Sequence, residues 1–195
     1  MLRFAISAET SGPIPLPGRN NNLTELTAVR FVTVPDNQLY REGVYTRSDG
    51  QSVNNKYSST TDEMVQGRPA FVTVVKNLEP LFYHKDPKTG EYDTLFICFN
   101  AGFYQELFRR YGIVRDGLFV DMLPLVRDLR DTQAVVNMPS RAAGSKLPSI
   151  PEVAEFLGSP APVTPKDKTD LLCEVYTWAQ AEMNRNRYPG GMGMS

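Results

Sequence analysis

The sequence predicts one mixed α/β domain, with antiparallel strands first and helices flanking the sheet. Three observations carry this. Leu2, Phe4 and Ile6 alternate as in a half-buried strand that runs into the small-residue turn Glu9-Thr-Ser-Gly12. Two β-branched or aromatic stretches, Leu23 to Val34 and Gln38 to Thr46, are joined through Pro35-Asp-Asn37, the mark of a hairpin. Beyond them, the apolar runs Thr94 to Phe99 and Gly117 to Asp121 are each followed by helical spacing, as in covered strands with crossover helices.

The elements follow in order. Pro13 to Asn22 combines three prolines with an Asn run and reads as an exposed loop, and Ser48 to Asn55 as a polar one. Thr60-Thr-Asp-Glu-Met-Val65 places Thr or Asp where a short helix needs a cap. From Pro69 to Phe82 the spacing of Phe71, Val74, Val75, Leu78 and Phe82 predicts a helix despite the β-branched content. Lys85 to Glu91 is a turn, and Asn100 to Gly112 an amphipathic helix with Phe103, Leu107 and Phe108 inward and Arg109 and Arg110 outward. Met122 to Arg130 continues as a helix, followed by a polar connector from Asp131 to Lys146. Ser149 to Gly158 is a helix with Pro in its first turn and Gly at its end. Lys166 to Arg185 forms the last helix. The domain is expected over residues 1–185, with 186–195 as a flexible tail.

Composition narrows the function classes. The chain has 195 residues, 41% hydrophobic and 22% charged, enough for one core. A formal net charge of -1 excludes a general polycation, so a nucleic-acid contact would need a local basic patch. Cys98 and Cys173 lie in separate apolar runs without metal-ligand spacing, which suits reduced thiols in an intracellular, reducing compartment. Met1-Leu-Arg-Phe4 enters the first strand directly, so no signal peptide is expected. No apolar run has the length of a membrane helix, so a soluble protein without membrane contact is expected.

Several segments together resemble one family. Phe4-Ala-Ile-Ser-Ala-Glu-Thr-Ser-Gly12 is similar to an apolar strand followed by Asp-x-Glu-Thr-Thr-Gly. Thr61-Asp-Glu-Met-Val-Gln-Gly-Arg-Pro-Ala-Phe71 matches Ile-Thr-(Asp/Asn)-Glu-Met-Val-x-Gly-x-Pro-x-Phe at many positions at once. Leu95 to Tyr104 resembles apolar-x-His-Asn-Ala-x-Phe-Asp, and Leu118 to Arg127 resembles Asp-Thr-Leu-x-Leu-Ala-Arg. Leu147 to Gly158 is similar to a Ser-Leu-x-x-Leu-x-x-x-Leu-Gly helix, and Pro165 to Asp170 to His-x-x-x-x-Asp. These are the motifs of the DEDD-type (DnaQ-like) 3′–5′ exonucleases of the ribonuclease H-like fold, the group of the DNA polymerase III epsilon subunit.

The resemblance implies a site in which four carboxylates hold two divalent metals and a His or Tyr activates water. Taken position by position, this chain departs from it. Ser7 stands where the first Asp is expected, and a neutral hydroxyl is a poor ligand for a hard dication. Glu9 matches the second acid. Tyr104 replaces the Asp of the second motif and Phe99 its His; Glu106, about 200° further round a helix, is no simple substitute. Asp170 matches the last acid, Pro165 replaces the general-base His, and Lys166 stands where a second subclass keeps Tyr.

The resulting expectation is a catalytically inactive exonuclease-like domain, a structural or nucleic-acid-binding component of a larger assembly. Two alternatives stay open: an active exonuclease with a rearranged or reduced metal site, and a protein-interaction scaffold without nucleic acid. Ser7, Glu9, Tyr104, Pro165 and Asp170 are then vestigial catalytic positions, with Glu9 and Asp170 as candidate metal ligands. Asn100, Tyr104 and Arg109 are the candidate nucleic-acid contacts, for single-stranded DNA or RNA; Tyr104 would either stack on a base or fill space vacated by metal and water. Arg110, Arg115, Arg127, Arg130 and Arg141 read as solvated surface unless they gather into one face, His84 as surface, and Trp178 as core or partner contact. No cofactor is expected, with Mg²⁺ or Mn²⁺ needed only by the active-enzyme alternative. Protein partners are expected within a complex.

Overall fold

The computed structural model describes residues 2–10, 26–33, 42–45, 59–129 and 147–187. The expected loops at 13–22 and 48–55, the connector at 131–146, Arg130, Arg141 and the tail from residue 188 lie outside the described residues.

Among the described residues, one five-stranded sheet organises the fold, in the order β3-β2-β1-β4-β5. Its strands are β1 (Leu2–Thr10), β2 (Leu26–Thr33), β3 (Glu42–Tyr45), β4 (Thr94–Cys98) and β5 (Phe119–Asp121). β1 pairs antiparallel with β2, and β2 with β3, as the hairpin signals predict. β1 then pairs in parallel with β4, and β4 with β5. β1 is therefore the strand where the antiparallel and parallel halves meet.

The period of two along β1 divides the core in two layers. Phe4 and Ile6, with Phe96 and Cys98 of β4, pack under α2 (Phe71–Phe82) and α3 (Ala101–Arg109). Ala5, with Val32 of β2 and Ile97 of β4, faces the other way, under α4 (Met122–Leu129), α5 (Ile150–Leu157) and α6 (Pro165–Arg187). Aromatic side chains fill the first layer: Phe82 lies 5.3 Å from both Phe96 and Phe108. In the second, Trp178, expected as core or partner contact, is partly buried and meets Phe156 edge-on at 5.5 Å.

Helix ends follow local chemistry. Thr61 caps the short α1 (Asp62–Val65) by accepting from Met64 N. Ser149 and Glu152 form a capping box at α5, with Pro151 in the first turn and Gly158 closing the helix in the left-handed region. A second box, unread in the sequence, starts α6: Thr164 Oγ1 accepts from Asp167 N while Asp167 Oδ2 accepts from Thr164 N. Pro165 is then the first helical residue, where a missing N–H costs nothing. α6 runs two residues past the expected boundary at 185, because nothing up to Arg187 breaks a helix.

Candidate functional site

Three features bring the motif positions to one end of the sheet. β1 pairs with β4 only as far as Ala5 opposite Ile97, and continues to Thr10 alone on that side. β4 ends at Cys98, and the chain turns at Asn100 with φ 67 and ψ 72, the one non-glycine at positive φ among the described residues. Asn100 Oδ1 accepts from Phe103 N, so the side chain that tolerates this backbone also caps α3. A cleft of about 210 Å³ opens in the fork, lined by Ser7, Asn100, Phe103, Tyr104 and Lys168 among others. Such crevices at the carboxyl ends of strands are the usual ligand positions of open α/β sheets.

Glu9 sits beyond the fork and is 3% exposed. A register shift in the β1–β2 ladder falls between Glu9 and Thr10, a local irregularity of the kind that re-aims side chains. Its Oε2 accepts from Ser59 N at 3.0 Å, Thr60 N at 3.1 Å and Thr60 Oγ1 at 2.7 Å, and its Oε1 from Ser59 Oγ at 2.7 Å. Lys168 Nζ stands 3.7 Å from Oε1. The carboxylate thereby ties the end of the central strand to the segment that enters α1.

Asp170 has different company. Its Oδ1 accepts from Arg30 Nη1 at 3.1 Å and its Oδ2 from Lys166 Nζ at 2.7 Å. Arg30 lies on β2 directly opposite Ser7, so the position expected to carry an acid faces a guanidinium across the ladder. The same Nη1 donates to Thr169 Oγ1 and to the Lys166 carbonyl. The geometry follows from helical spacing: Lys166 and Asp170 share one face of α6, while Lys168 and Leu172, about 200° away, face the cleft.

Tyr104 is a core residue, 5% exposed, stacked on Phe119 at 5.7 Å and edge-on to Phe103. Its hydroxyl accepts from Ala8 N at 3.1 Å, an amide on the part of β1 that β4 does not reach. Burial pushes the phenol well above its ordinary range. The ring, packed against Phe119 and Phe103, is thus a core side chain at the position named as a candidate base contact. Ser7 is 1% exposed; its Oγ lies near the Tyr104 phenol but makes no hydrogen bond among the described residues. Phe99, where the resemblance expects His, is buried in the second core layer.

Among the described residues, the arginines do not gather into one basic face. Arg109 and Arg110 both turn to Glu106, and Arg127 pairs with Asp128. Arg115 is structural: it donates to the Phe82 and Thr94 carbonyls and lies over the Tyr92 ring. His84 is at the surface as expected, with Nδ1 2.6 Å from Asp93 Oδ1, a contact that holds the Asp93 carboxyl below its ordinary value.

The donor set does not fit the two metals that the resemblance implies. Position 7 supplies a hydroxyl and position 104 a protonated phenol. The two remaining carboxylates are engaged with cations of the chain itself. Among the described residues, no three His, Cys, Asp or Glu side chains gather as a metal site.

Sequence reasoning missed Lys168, Arg30 and the Ser59-Thr60 pair. Arg30 carried a signal, since a charge centred in an apolar strand must find a partner when buried. Lys168 lies within the Pro165 to Asp170 window, where only Pro165, Lys166 and Asp170 were read. Ser59 and Thr60 carried none, because their partner is 50 and 51 positions away.

No family model and no curated protein matches this chain. Among solved structures it is similar to E. coli exonuclease I in complex with a 5cy-dT13 oligonucleotide, with a TM-score of 0.59 at 13% identity. The match covers 96% of this chain and 41% of that one, so the chain spans less than half of the exonuclease's length. At this identity the likeness is one of fold: the chain has an exonuclease-like α/β architecture.

Proposed function

We propose that this chain is an exonuclease-like domain of the DEDD type that does not cut, and that serves as a structural or nucleic-acid-binding component of a larger assembly. One observation carries the reading: both surviving carboxylates are neutralised from within, Glu9 by Lys168 and Asp170 by Arg30 and Lys166. A dication at this end of the sheet would have to displace three tethered cations and strip Glu9 of four hydrogen bonds. It would gain two carboxylates where the two-metal arrangement uses about four. The nucleic-acid part rests on the cleft and on the fold shared with an exonuclease solved on an oligonucleotide.

The test uses purified protein, Mg²⁺ or Mn²⁺, and end-labelled single-stranded DNA or RNA. No shortening of the strand is expected. Calorimetry with Mn²⁺ is expected to find no site tighter than about 10⁻⁴ M. Metal-dependent degradation abolished by Asp170→Asn would overturn the reading.

A further inference from the structure

A recess of about 300 Å³ lies at the outer edge of the sheet, beside β5, the last strand in the order. Its floor is Ile113 and Phe119 of the first core layer, and its walls are one side of α3 and the turn that leads into β5. Phe96 N donates to the Leu118 carbonyl, and Phe96 is the register partner of Phe119. In a parallel ladder, alternate residues of a strand turn their main chain to the neighbour, so the N–H and C=O of Phe119 point away from β4. Among the described residues they make no hydrogen bond. An edge of this kind takes one more extended chain.

Side chains narrow what that chain is. Gly102 lies inside α3, where glycine is a poorer helix former than alanine, yet a Cβ there would meet only Asn100 Oδ1, at an ordinary 3.7 Å. Among the described residues no neighbour demands the glycine; it leaves room beside β5 for a closely approaching backbone. The lining charges balance, Glu106 and Asp116 against Arg109 and Arg115, so a polyanion gains nothing there. Glu106 pairs with Arg109 and Arg110, and Arg115 donates to two carbonyls, whereas the exposed Asp116 carboxylate has no ion pair or hydrogen bond among the described residues. Val114 on the wall and Val120 on β5 are exposed apolar side chains. We propose that this edge docks an extended segment of another protein, which adds to β5 as a further strand, seats an apolar side chain over Phe119 and Ile113, and brings a Lys or Arg to Asp116. Main-chain bonds then carry the affinity, while the recess and Asp116 select the sequence. The site lies on β5, so it stands whether or not the chain cuts nucleic acid.

The experiment selects binders to the full chain from a displayed library of random short peptides. Enriched peptides are expected to be apolar with a Lys or Arg, and a synthetic copy of one should slow hydrogen exchange at the Phe119 amide at least about tenfold. Asp116→Asn should weaken that peptide about threefold, the size of an exposed ion pair. Gly102→Leu should abolish its binding while Tm holds or rises, because leucine favours the helix and its side chain enters the recess; a Tm that fell with binding unchanged would count against the site. No enrichment, enrichment of acidic peptides, or binding that leaves Phe119 exchange unchanged would overturn the proposal. Protection of Phe119 on raising the concentration of the chain alone, with dimers in sedimentation, would give the edge to a second copy and overturn it as well. So would an oligothymidylate that protects Phe119 better than the peptide does.

Discussion

Glu9 and Asp170 match the same kind of motif position, and the fold treats them oppositely. Glu9 is almost fully enclosed and accepts four hydrogen bonds from one dipeptide, while the Asp170 side chain is 44% exposed and bridges two cations at the surface. The difference lies in what each would leave behind. Loss of Glu9 strands buried donors and a cation; loss of Asp170 returns Lys166 to water and leaves Arg30 its bonds to Thr169 and the Lys166 carbonyl. A motif-matching acid can thus be a structural member at one position and a surface partner at the other.

Substitutions can break or sharpen this contrast. The largest effect is expected for Glu9→Ala: removing one side of a buried, hydrogen-bonded charge cluster should cost roughly 3–5 kcal/mol, measured by urea unfolding. A cost equal to that of Asp170→Asn would break the comparison. Next comes Tyr104→Phe, which keeps the ring but removes the acceptor of Ala8 N; about 1–2 kcal/mol is expected, together with faster hydrogen exchange at the Ala8 amide.

Asp167→Asn should cost about 1 kcal/mol through the α6 cap. Hydrogen bonds from Thr164 hold the Asp167 carboxyl below its ordinary value of 3.8. Its contribution is therefore complete above that value and fades as pH falls through the lower folded value. The wild type should lose this increment on acidification and the Asn variant should not, as a pH series of melting curves would record. Smallest is Asp170→Asn, within about 1 kcal/mol because the pair is half exposed and screened by salt.

The strands and helices were legible because they rest on local patterns. The period of two in β1, the hairpin punctuation before β3, the caps at Thr61 and Ser149 and the apolar spacing of α2 are each written within a few residues. The site was half legible. Position-by-position comparison located Ser7, Glu9, Tyr104 and Asp170 at one end of the sheet, yet it could say only what was missing there. The contacts made there depend on pairs such as Arg30 with Asp170 and Ser59 with Glu9, which the topology brings together across the chain. Tyr104 shows the same limit. Its spacing fits the inward face of α3, but its second role, as acceptor for an unpaired strand amide, follows from β4 being shorter than β1.

That difference in strand length separates the shape of the cleft from its chemistry. The crevice exists because β1 continues where β4 has already turned, at Asn100, into a helix; it owes its shape to the lengths of two strands and one left-handed residue. Catalytic side chains can come and go at its rim without closing it. A recess set by backbone in this way keeps its shape while substitutions at its rim change its chemistry.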